Sequence, residues 1–156
     1  MAVPTTAPLK RGIVRRLRSS TPLISQLKGG IHQRIAPRRT RYPFIKYAQV
    51  SAPWSFDAGG EGNDGHATVD ALYDISVLSL NPIQAETLDA IIQDLFSSRT
   101  ADIDLNAVVD GLNVQRCHRV ADLPTGPERD GEGRRIVEIG GTYRIVADAA
   151  LVIPGP

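Results

Sequence analysis

The chain has 156 residues, 42% of them hydrophobic and only 5% aromatic, so we expect one domain with a core built mainly from aliphatic side chains. Its single cysteine, Cys117, excludes an internal disulfide, and no apolar run approaches the roughly 18 residues that a membrane span needs. The formal net charge of +1 conceals an uneven distribution of charge. Eleven Lys and Arg residues and no Asp or Glu lie before residue 57, whereas all seventeen acids lie from Asp57 onward.

The N-terminal segment predicts two helices. Residues 1–8 are small and rich in Thr and Pro, as is typical of a flexible arm. Apolar residues then recur at helical spacing and predict a basic amphipathic helix over residues 8–18, whose cations also interrupt the apolar run of a secretory signal. Thr21 as the N-cap and Pro22 as the first helical residue predict a second, short helix that ends near Lys28.

Two strands and a loop are predicted next. Residues 31–35 favour a short strand, and residues 42–52 alternate as a long strand in which Pro43 fits only at the beginning or on an edge. The sequence FDAGGEGNDGHA that follows is a loop by its composition. Residues 59–67 nearly match a calcium-binding nonapeptide, but no second copy follows, so a surface loop is the favoured interpretation.

The middle of the chain predicts a strand that leads directly into a helix. Residues 68–80 alternate as a strand, and Asn81 as the N-cap with Pro82 in the first position begins an amphipathic helix. We expect this helix to expose its acids Glu86, Asp89 and Asp94. The apolar residues expected on its buried face are Ile83, Leu88, Ile91, Ile92 and Leu95.

The C-terminal third predicts three further strands. Residues 102–109 and 111–120 favour two of them, and residues 135–147 favour a long last strand with a bulge at Gly140-Gly141. Long strands separated by hairpin-like loops predict an α+β fold, an antiparallel β-sheet with α-helices packed on one face. We expect residues 9–148 to form this single domain and residues 149–156 to be a C-terminal tail.

The sequence contains no recognisable catalytic or metal-binding constellation. His32, His66 and His118 are scattered, and Cys117 and His118 are neighbours on a predicted strand, so their side chains point to opposite faces. There is no phosphate-binding loop, no G-x-S-x-G and no H-E-x-x-H. We therefore expect no enzymatic activity, no cofactor and no bound metal.

The basic front of the chain allows three interpretations. It could bind nucleic acid, although neither helix-turn-helix spacing nor a base-reading pattern accompanies it. It could be neutralised by the acidic remainder within one fold, or it could set the front of one subunit against the back of the next, in a ring or filament. Between the two binding interpretations, we favour protein docking over nucleic acid. The candidate interface residues are Arg11, Arg15, Arg16, Arg18, Arg38, Arg39 and Arg41.

Several segments together resemble a known family. RYPFIKYAQV begins a long strand, a glycine-rich loop follows, and VDALYDISVLSLNPIQAETLDAIIQDLF joins a strand directly to a helix. With the arginine-bearing strand at 114–120 and the last strand, this order resembles the tail completion, or tail terminator, proteins of long-tailed bacteriophages over about residues 9–148. The resemblance implies a structural protein that forms a ring, commonly a hexamer, on the finished tail tube. The ring stops tube growth and joins the tail to the head.

The resemblance also implies partners and a location. They are further copies of the chain, the tail tube protein and the head–tail connector or stopper protein, in the neck of a virion assembled in the host cytoplasm and without contact with a membrane. Because DNA passes through the lumen without specific binding, we expect the arginines of the first helix to face a protein neighbour. We expect the loop at residues 57–65 to face the lumen or the tube through Asp57, Glu61 and Asp64. Another neck or tail component, such as a tube subunit or a head–tail joining protein, and a nucleic-acid-binding module remain alternatives.

Overall fold

The computed structural model describes residues 6–57, 66–97, 112–124 and 128–150. The elements in chain order are α1 (Ala7–Arg18), α2 (Thr21–Ile24), β1 (Ile31–Gln33), β2 (Phe44–Ser51), β3 (Trp54–Asp57), β4 (His66–Ser79), α3 (Pro82–Leu95), β5 (Leu112–Asp122), β6 (Glu128–Arg129) and β7 (Arg135–Ala150). The α+β fold expected from the sequence is confirmed. The strand predicted at 102–109 and most of the predicted tail lie outside the described residues.

The sheet has the strand order β1-β2-β4-β7-β5, with β3 paired to β4 and β6 paired to β7. Its pairings are antiparallel except that of β1 with β2, which is parallel, so the sheet is mixed. The two longest strands, β4 and β7, pair without interruption from the His66–Ala150 pair to the Ser79–Val137 pair. They form the centre of the sheet, and β1 and β5 form its two edges.

The bulge predicted at Gly140-Gly141 is wrong. The register of β4 with β7 is regular at both glycines, and the irregularities of this part of the sheet lie on β5, after Val114 and after Arg119. The glycines are needed for space instead. A Cβ atom on Gly140 would lie 2.6 Å from the Ser76 Cα, and one on Gly141 would lie 2.6 Å from the Arg119 Cζ.

The three helices pack on one face of the sheet around an aliphatic core. The spacing of Leu9, Ile13 and Leu17 that predicted α1 is confirmed as its buried face, and α3 buries Leu88 and Ile92. Alternate residues of β2, β4 and β7, together with Val114 and Cys117 of β5, supply the sheet side of the core. Full burial of one such Leu or Ile side chain contributes about 1.5–3 kcal/mol, so this face dominates the stability of the fold.

The opposite face of the sheet is mainly polar, with a small apolar cluster at one end. Phe44, Leu78 and Ile136 form this cluster, and Ala36 and Tyr42 pack against it. The Tyr42–Pro43 peptide bond is cis, and Pro43 immediately precedes β2, as the sequence predicts. The connection between β1 and β2 therefore crosses the face of the sheet that the helices leave uncovered.

Two details of the helix predictions are wrong at the N-terminal end. Ser20, not Thr21, is the N-cap of α2, because its Oγ accepts a hydrogen bond from the Leu23 backbone N–H at 3.4 Å. The helix ends at Ile24, well before Lys28. After it the chain turns towards β2, where the Gly29 backbone N–H donates to the Pro43 carbonyl at 3.1 Å. The strand that follows, β1, ends at Gln33, two residues before its predicted end.

Two side chains of α3 also lie opposite to their predicted positions. Ile83, expected to be buried, is 74% exposed, whereas Asp89, expected to be exposed, is only 9% exposed. Asp89 faces the sheet because Arg119 of β5 lies 2.9 Å away and supplies its counter-charge.

Strand β3 was not predicted from the sequence. Its residues Phe56 and Asp57 continue a ladder with β4 into the predicted loop. Trp54, at the beginning of β3, packs partly buried against the core.

Asn81 is confirmed as the N-cap of α3, and its removal should be measurable. Its Oδ1 accepts hydrogen bonds from the backbone N–H groups of Ile83 at 3.0 Å and Gln84 at 3.5 Å. We expect Asn81→Ala to lower the free energy of unfolding by about 1 kcal/mol, because these N–H groups lose their acceptor. Asn81→Asp keeps an acceptor and should retain most of the stability in urea denaturation. Equal stability of the wild type and Asn81→Ala would contradict this role.

Candidate interaction surfaces

The outer face of α1 carries a row of exposed cations. Arg11, Arg15 and Arg18 follow one another at helical spacing on the side opposite the buried Leu9 and Leu17. The side chains of a basic last turn also interact favourably with the negative end of the helix dipole. The amphipathic pattern read from the sequence therefore places these three arginines in solvent, as an interface requires.

A cleft of about 420 Å³ opens between α1 and the edge formed by β1 and β2. Its lining residues are Ala7, Lys10, Arg11, Val14, Arg15, Arg18, Gln33 and Tyr47. Burial raises the pKa of Tyr47, an effect that the charge of Arg18 opposes. Four cations and no acid line the cleft among the described residues, so it is suited to carboxylate or phosphate groups. We call Lys10, Arg11, Arg15 and Arg18 the cationic flank.

Arg16 differs from its neighbours because it contacts the protein's own interior. Its Nε donates a hydrogen bond to the Leu95 backbone carbonyl at 2.9 Å, in the last turn of α3. Burial lowers the pKa of Arg16, with an opposing contribution from Cys117. Arg16 thus links α1 to α3, an intramolecular role that the linear pattern of arginines did not reveal.

The second basic cluster, Arg38, Arg39 and Arg41, lies on the connection between β1 and β2. All three are exposed, and Thr40 among them closes a turn by donating its hydroxyl to the Pro37 carbonyl at 2.5 Å. Since this connection packs over the polar face of the sheet, the structure does not bring the two predicted basic clusters together. They form two separate surfaces on opposite sides of the sheet.

A groove of about 500 Å³ separates this second cluster from the turn between β6 and β7. The Tyr42 hydroxyl donates to the Asp130 Oδ2 across the groove at 3.3 Å, and the Arg134 guanidinium lies 5.3 Å from the centre of the Tyr42 ring. Asp130 and Glu132 are already paired with Arg134. With Arg38 and Arg39 on its other side, the groove is lined by three arginines and two acids, so its net charge is positive by one unit.

The described residues do not show neutralisation of the basic front by the acidic remainder. The ion pairs Arg144–Asp70, Arg119–Asp89, Arg119–Asp122, Arg134–Asp130 and Arg134–Glu132 all lie within the acidic remainder. Within the described part of the chain, Lys46–Glu138, at 3.2 Å, is the ion pair that joins the two portions. Three cations of α1 (Arg11, Arg15 and Arg18) and the cluster on the β1–β2 connection form no ion pair with any described residue.

The Arg119 side chain makes four hydrogen bonds to described residues. Its Nη1 donates to both carboxylate oxygens of Asp89 at 3.0 and 2.9 Å, its Nε donates to Asp122 at 2.9 Å, and its Nη2 donates to the Gly140 carbonyl at 2.7 Å. Burial disfavours the charge of Arg119, but the hydrogen bond and field of Asp89 outweigh burial and raise its pKa. This network was not predicted from the sequence. The Gly140-Gly141 pair, whose second glycine leaves space for the Arg119 side chain, is the sequence feature that could have indicated it.

A bidentate ion pair on the polar face of the sheet should give a measurable pH dependence. Arg144 donates to the two carboxylate oxygens of Asp70 at 2.8 and 2.5 Å. This hydrogen bond lowers the pKa of Asp70, although burial opposes the shift. A lowered folded-state pKa stabilises the fold above the usual aspartate pKa, and this contribution is lost as the pH falls through the folded-state value.

We therefore expect Asp70→Asn to be less stable than the wild type at neutral pH, with the difference vanishing in strong acid. The loss should stay below about 1 kcal/mol, because the two side chains are 42% and 40% exposed and water screens the pair. Urea denaturation of both proteins across the acidic range measures it. Glu128→Gln, at an exposed position on β6, is the matched control and should be as stable as the wild type throughout this range. A gap that persists in strong acid would contradict the assignment.

The remaining candidates for chemistry do not converge. Cys117 is buried and His118, the next residue of β5, is half-buried, so the two side chains lie on opposite faces of the sheet, as predicted. Among the described residues, no group of three or more His, Cys, Asp or Glu side chains is placed to hold a metal ion. None of the described helices has the length and apolarity needed to cross a bilayer.

The fold and its surfaces define an α+β protein with exposed cations, unpaired among the described residues, on both sides of a mixed sheet. No protein-family model and no curated protein sequence matches the chain. Among solved structures, it is similar to a chain in the "Virion of native gene transfer agent (GTA) particle", with 13% sequence identity and a TM-score of 0.58. The similarity covers 93% of this chain and 100% of that chain. At this identity, the likeness shows a shared fold.

Proposed function

We propose that this chain is a structural virion protein that forms a ring on the end of a phage-like tail tube. The ring, of six copies as the sequence resemblance implies, ends tube growth and joins the tail to the head connector or stopper protein. Two findings support the proposal. The order of sequence elements resembles tail terminators, and the solved chain with the same fold belongs to the virion of a gene transfer agent.

The observation that carries the proposal is the cationic surface that the described chain leaves unpaired. Arg11, Arg15 and Arg18 protrude from one helix at close spacing, and no described acid of the same chain forms an ion pair with them. Like charges at such spacing repel one another on an isolated subunit. An acidic protein surface that docks against them offsets this repulsion, because each arginine is then attracted to an acid of the partner. A protein whose net charge is only +1 can supply that acidic surface from another copy of itself.

The loop between β3 and β4 is the proposed contact with the tube or the lumen. The β3–β4 ladder reaches the Asp57–His66 pair, so the loop extends from the end of that ladder. Glu61 and Asp64 lie outside the described residues, and their acidity suits a surface that repels DNA phosphates. Replacing residues 58–65 by Asn-Gly, a two-residue turn that can close the β3–β4 hairpin, should impair joining of tails to heads without lowering the unfolding temperature. A lower unfolding temperature would show that the loop stabilises the subunit and would contradict its role as a contact.

The decisive experiment is a mass measurement of the purified protein, alone and mixed with the tail tube protein. We expect a closed ring of several copies, formed alone or on the tube. A mass of one chain in both samples would contradict the proposal. Locating the protein in particles by labelling separates a terminator, present as one ring at the end of the tail, from a tube subunit stacked along it. A steeply salt-dependent shift of duplex DNA would favour the nucleic-acid alternative.

A further inference from the structure

The two long helices lie towards opposite edges of the sheet. The cleft beside α1 is lined by Gln33 of β1 and Tyr47 of β2, whereas α3 is tied to β5 by the Asp89–Arg119 ion pair. Because the strand order is β1-β2-β4-β7-β5, these contacts place α1 near one edge of the sheet and α3 near the other. The outward faces of α1 and α3 are therefore different flanks of one subunit.

The outward face of α3 has the charge opposite to that of α1. Glu86 and Asp94 are exposed on this face, and the helix contains no Lys or Arg. Neither acid forms an ion pair with a described residue, since the one acid of α3 that does so is Asp89, on the buried side. We call Glu86 and Asp94 the acidic flank.

Each flank also offers apolar surface beside its charges. Ile83, 74% exposed, lies on the first turn of α3, and Leu80, 46% exposed, directly precedes the N-cap Asn81. On the other flank, Val14 and Tyr47 contribute carbon atoms to the cleft beside α1. An apolar centre surrounded by charged groups is the usual composition of a protein–protein contact, whereas DNA phosphates would leave the exposed Ile83 without a role.

We propose that the cationic flank of one copy docks on the acidic flank of the next copy. This inference rests on the proposed ring and names the contact that closes it. A contact between two different surfaces of identical chains is heterologous, so it repeats head to tail and ends only when the circle closes. Arg16 supports the geometry, because its hydrogen bond to the Leu95 carbonyl fixes α1 relative to α3 within each copy.

Two charge-reversal variants and their combination test the contact. Arg11→Glu/Arg15→Glu reverses the cationic flank, and Glu86→Lys/Asp94→Lys reverses the acidic flank. Each should have the mass of one chain under conditions in which the wild type forms rings, because equal charges then face each other. An equimolar mixture of the two variants should form rings again, because each reversed flank meets a reversed partner. The protein that carries all four substitutions should also form rings.

Control variants distinguish loss of the contact from a change in net charge and from a loss of folding. Arg129→Glu/Arg135→Glu makes the same change in net charge as Arg11→Glu/Arg15→Glu, at exposed positions outside both flanks, and should leave the ring intact. Thermal unfolding of every variant shows that the subunit is folded. Rings that survive either reversal, or reversals that neither the mixture nor the fourfold variant rescues, would overturn the contact while leaving the ring proposal standing. A wild type that stays a single chain, even with the tube protein, would instead overturn the proposed function.

Affinity for duplex DNA tests whether the cationic flank binds nucleic acid instead of a second copy. If the cationic flank serves DNA, Arg11→Glu/Arg15→Glu will lose DNA affinity and keep the wild-type mass, which also overturns the contact. If it serves a second copy, Arg11→Glu/Arg15→Glu will change the mass, and it will lower DNA affinity no more than the Arg129→Glu/Arg135→Glu control does. Measuring both quantities on the same preparations decides between the two occupants.

Discussion

Arg119→Met is expected to lower the free energy of unfolding by about 3 kcal/mol or more, because it leaves the carboxylate of Asp89 buried without its partner. Asp89 is 9% exposed and receives two hydrogen bonds from the Arg119 Nη1. The substitution also removes the donor to the Gly140 carbonyl. Met keeps much of the aliphatic volume, so the loss reports charge and hydrogen bonding more than packing. Urea denaturation at neutral pH measures the effect.

A double-mutant cycle separates the ion pair from the other contacts of Arg119. Asp89→Asn alone should also destabilise the fold, whereas Asp89→Asn combined with Arg119→Met should recover part of the loss, because no unpaired charge then remains buried. Arg116→Met, at an exposed position on the same strand, is the control and should change stability by no more than about 0.5 kcal/mol. An Arg119→Met protein as stable as this control would contradict the role of the pair.

The parts of the fold that could be predicted are those that neighbouring residues determine. Asn81 with Pro82 marks the beginning of α3, and the spacing of Leu9, Ile13 and Leu17 marks the buried face of α1, because caps and helical periodicity act within a few residues. The alternation of β2, β4 and β7 likewise reveals which side chains face the core. These local signals were sufficient for the α+β class and for most element positions.

The errors concern partners that are distant in the sequence. Asp89 and Arg119 are 30 residues apart, and Arg16 and Leu95 are 79 apart, so no local pattern shows that they meet. An acid on a helix is expected in solvent unless its counter-charge is known. The same limit applies to the candidate surfaces. Rows of arginine are visible in the sequence, but their separation onto opposite sides of the sheet depends on how the β1–β2 connection crosses it.

Gly140→Ala should be among the most destabilising single substitutions, with an expected loss of about 3 kcal/mol or more. The new Cβ would lie 2.6 Å from the Ser76 Cα and 2.7 Å from the Ser76 Cβ, and would also contact the Ile75 carbonyl oxygen. These atoms belong to β4, the central partner of β7, so relief requires the two longest strands to separate. A flexible side chain could move aside at small cost, but a paired backbone cannot do so without losing ladder hydrogen bonds.

Gly131→Ala is the matched control for this argument. It adds the same methyl group in the turn between β6 and β7, where a Cβ would have no atom within 4 Å and the glycine has no positive φ. Its stability in urea should equal that of the wild type or exceed it slightly, because alanine restricts the unfolded chain. If Gly140→Ala and Gly131→Ala unfold at the same denaturant concentration, β4 and β7 do not approach as closely as the structure shows. The central pair that places the cationic and acidic flanks at opposite edges would then need a different register.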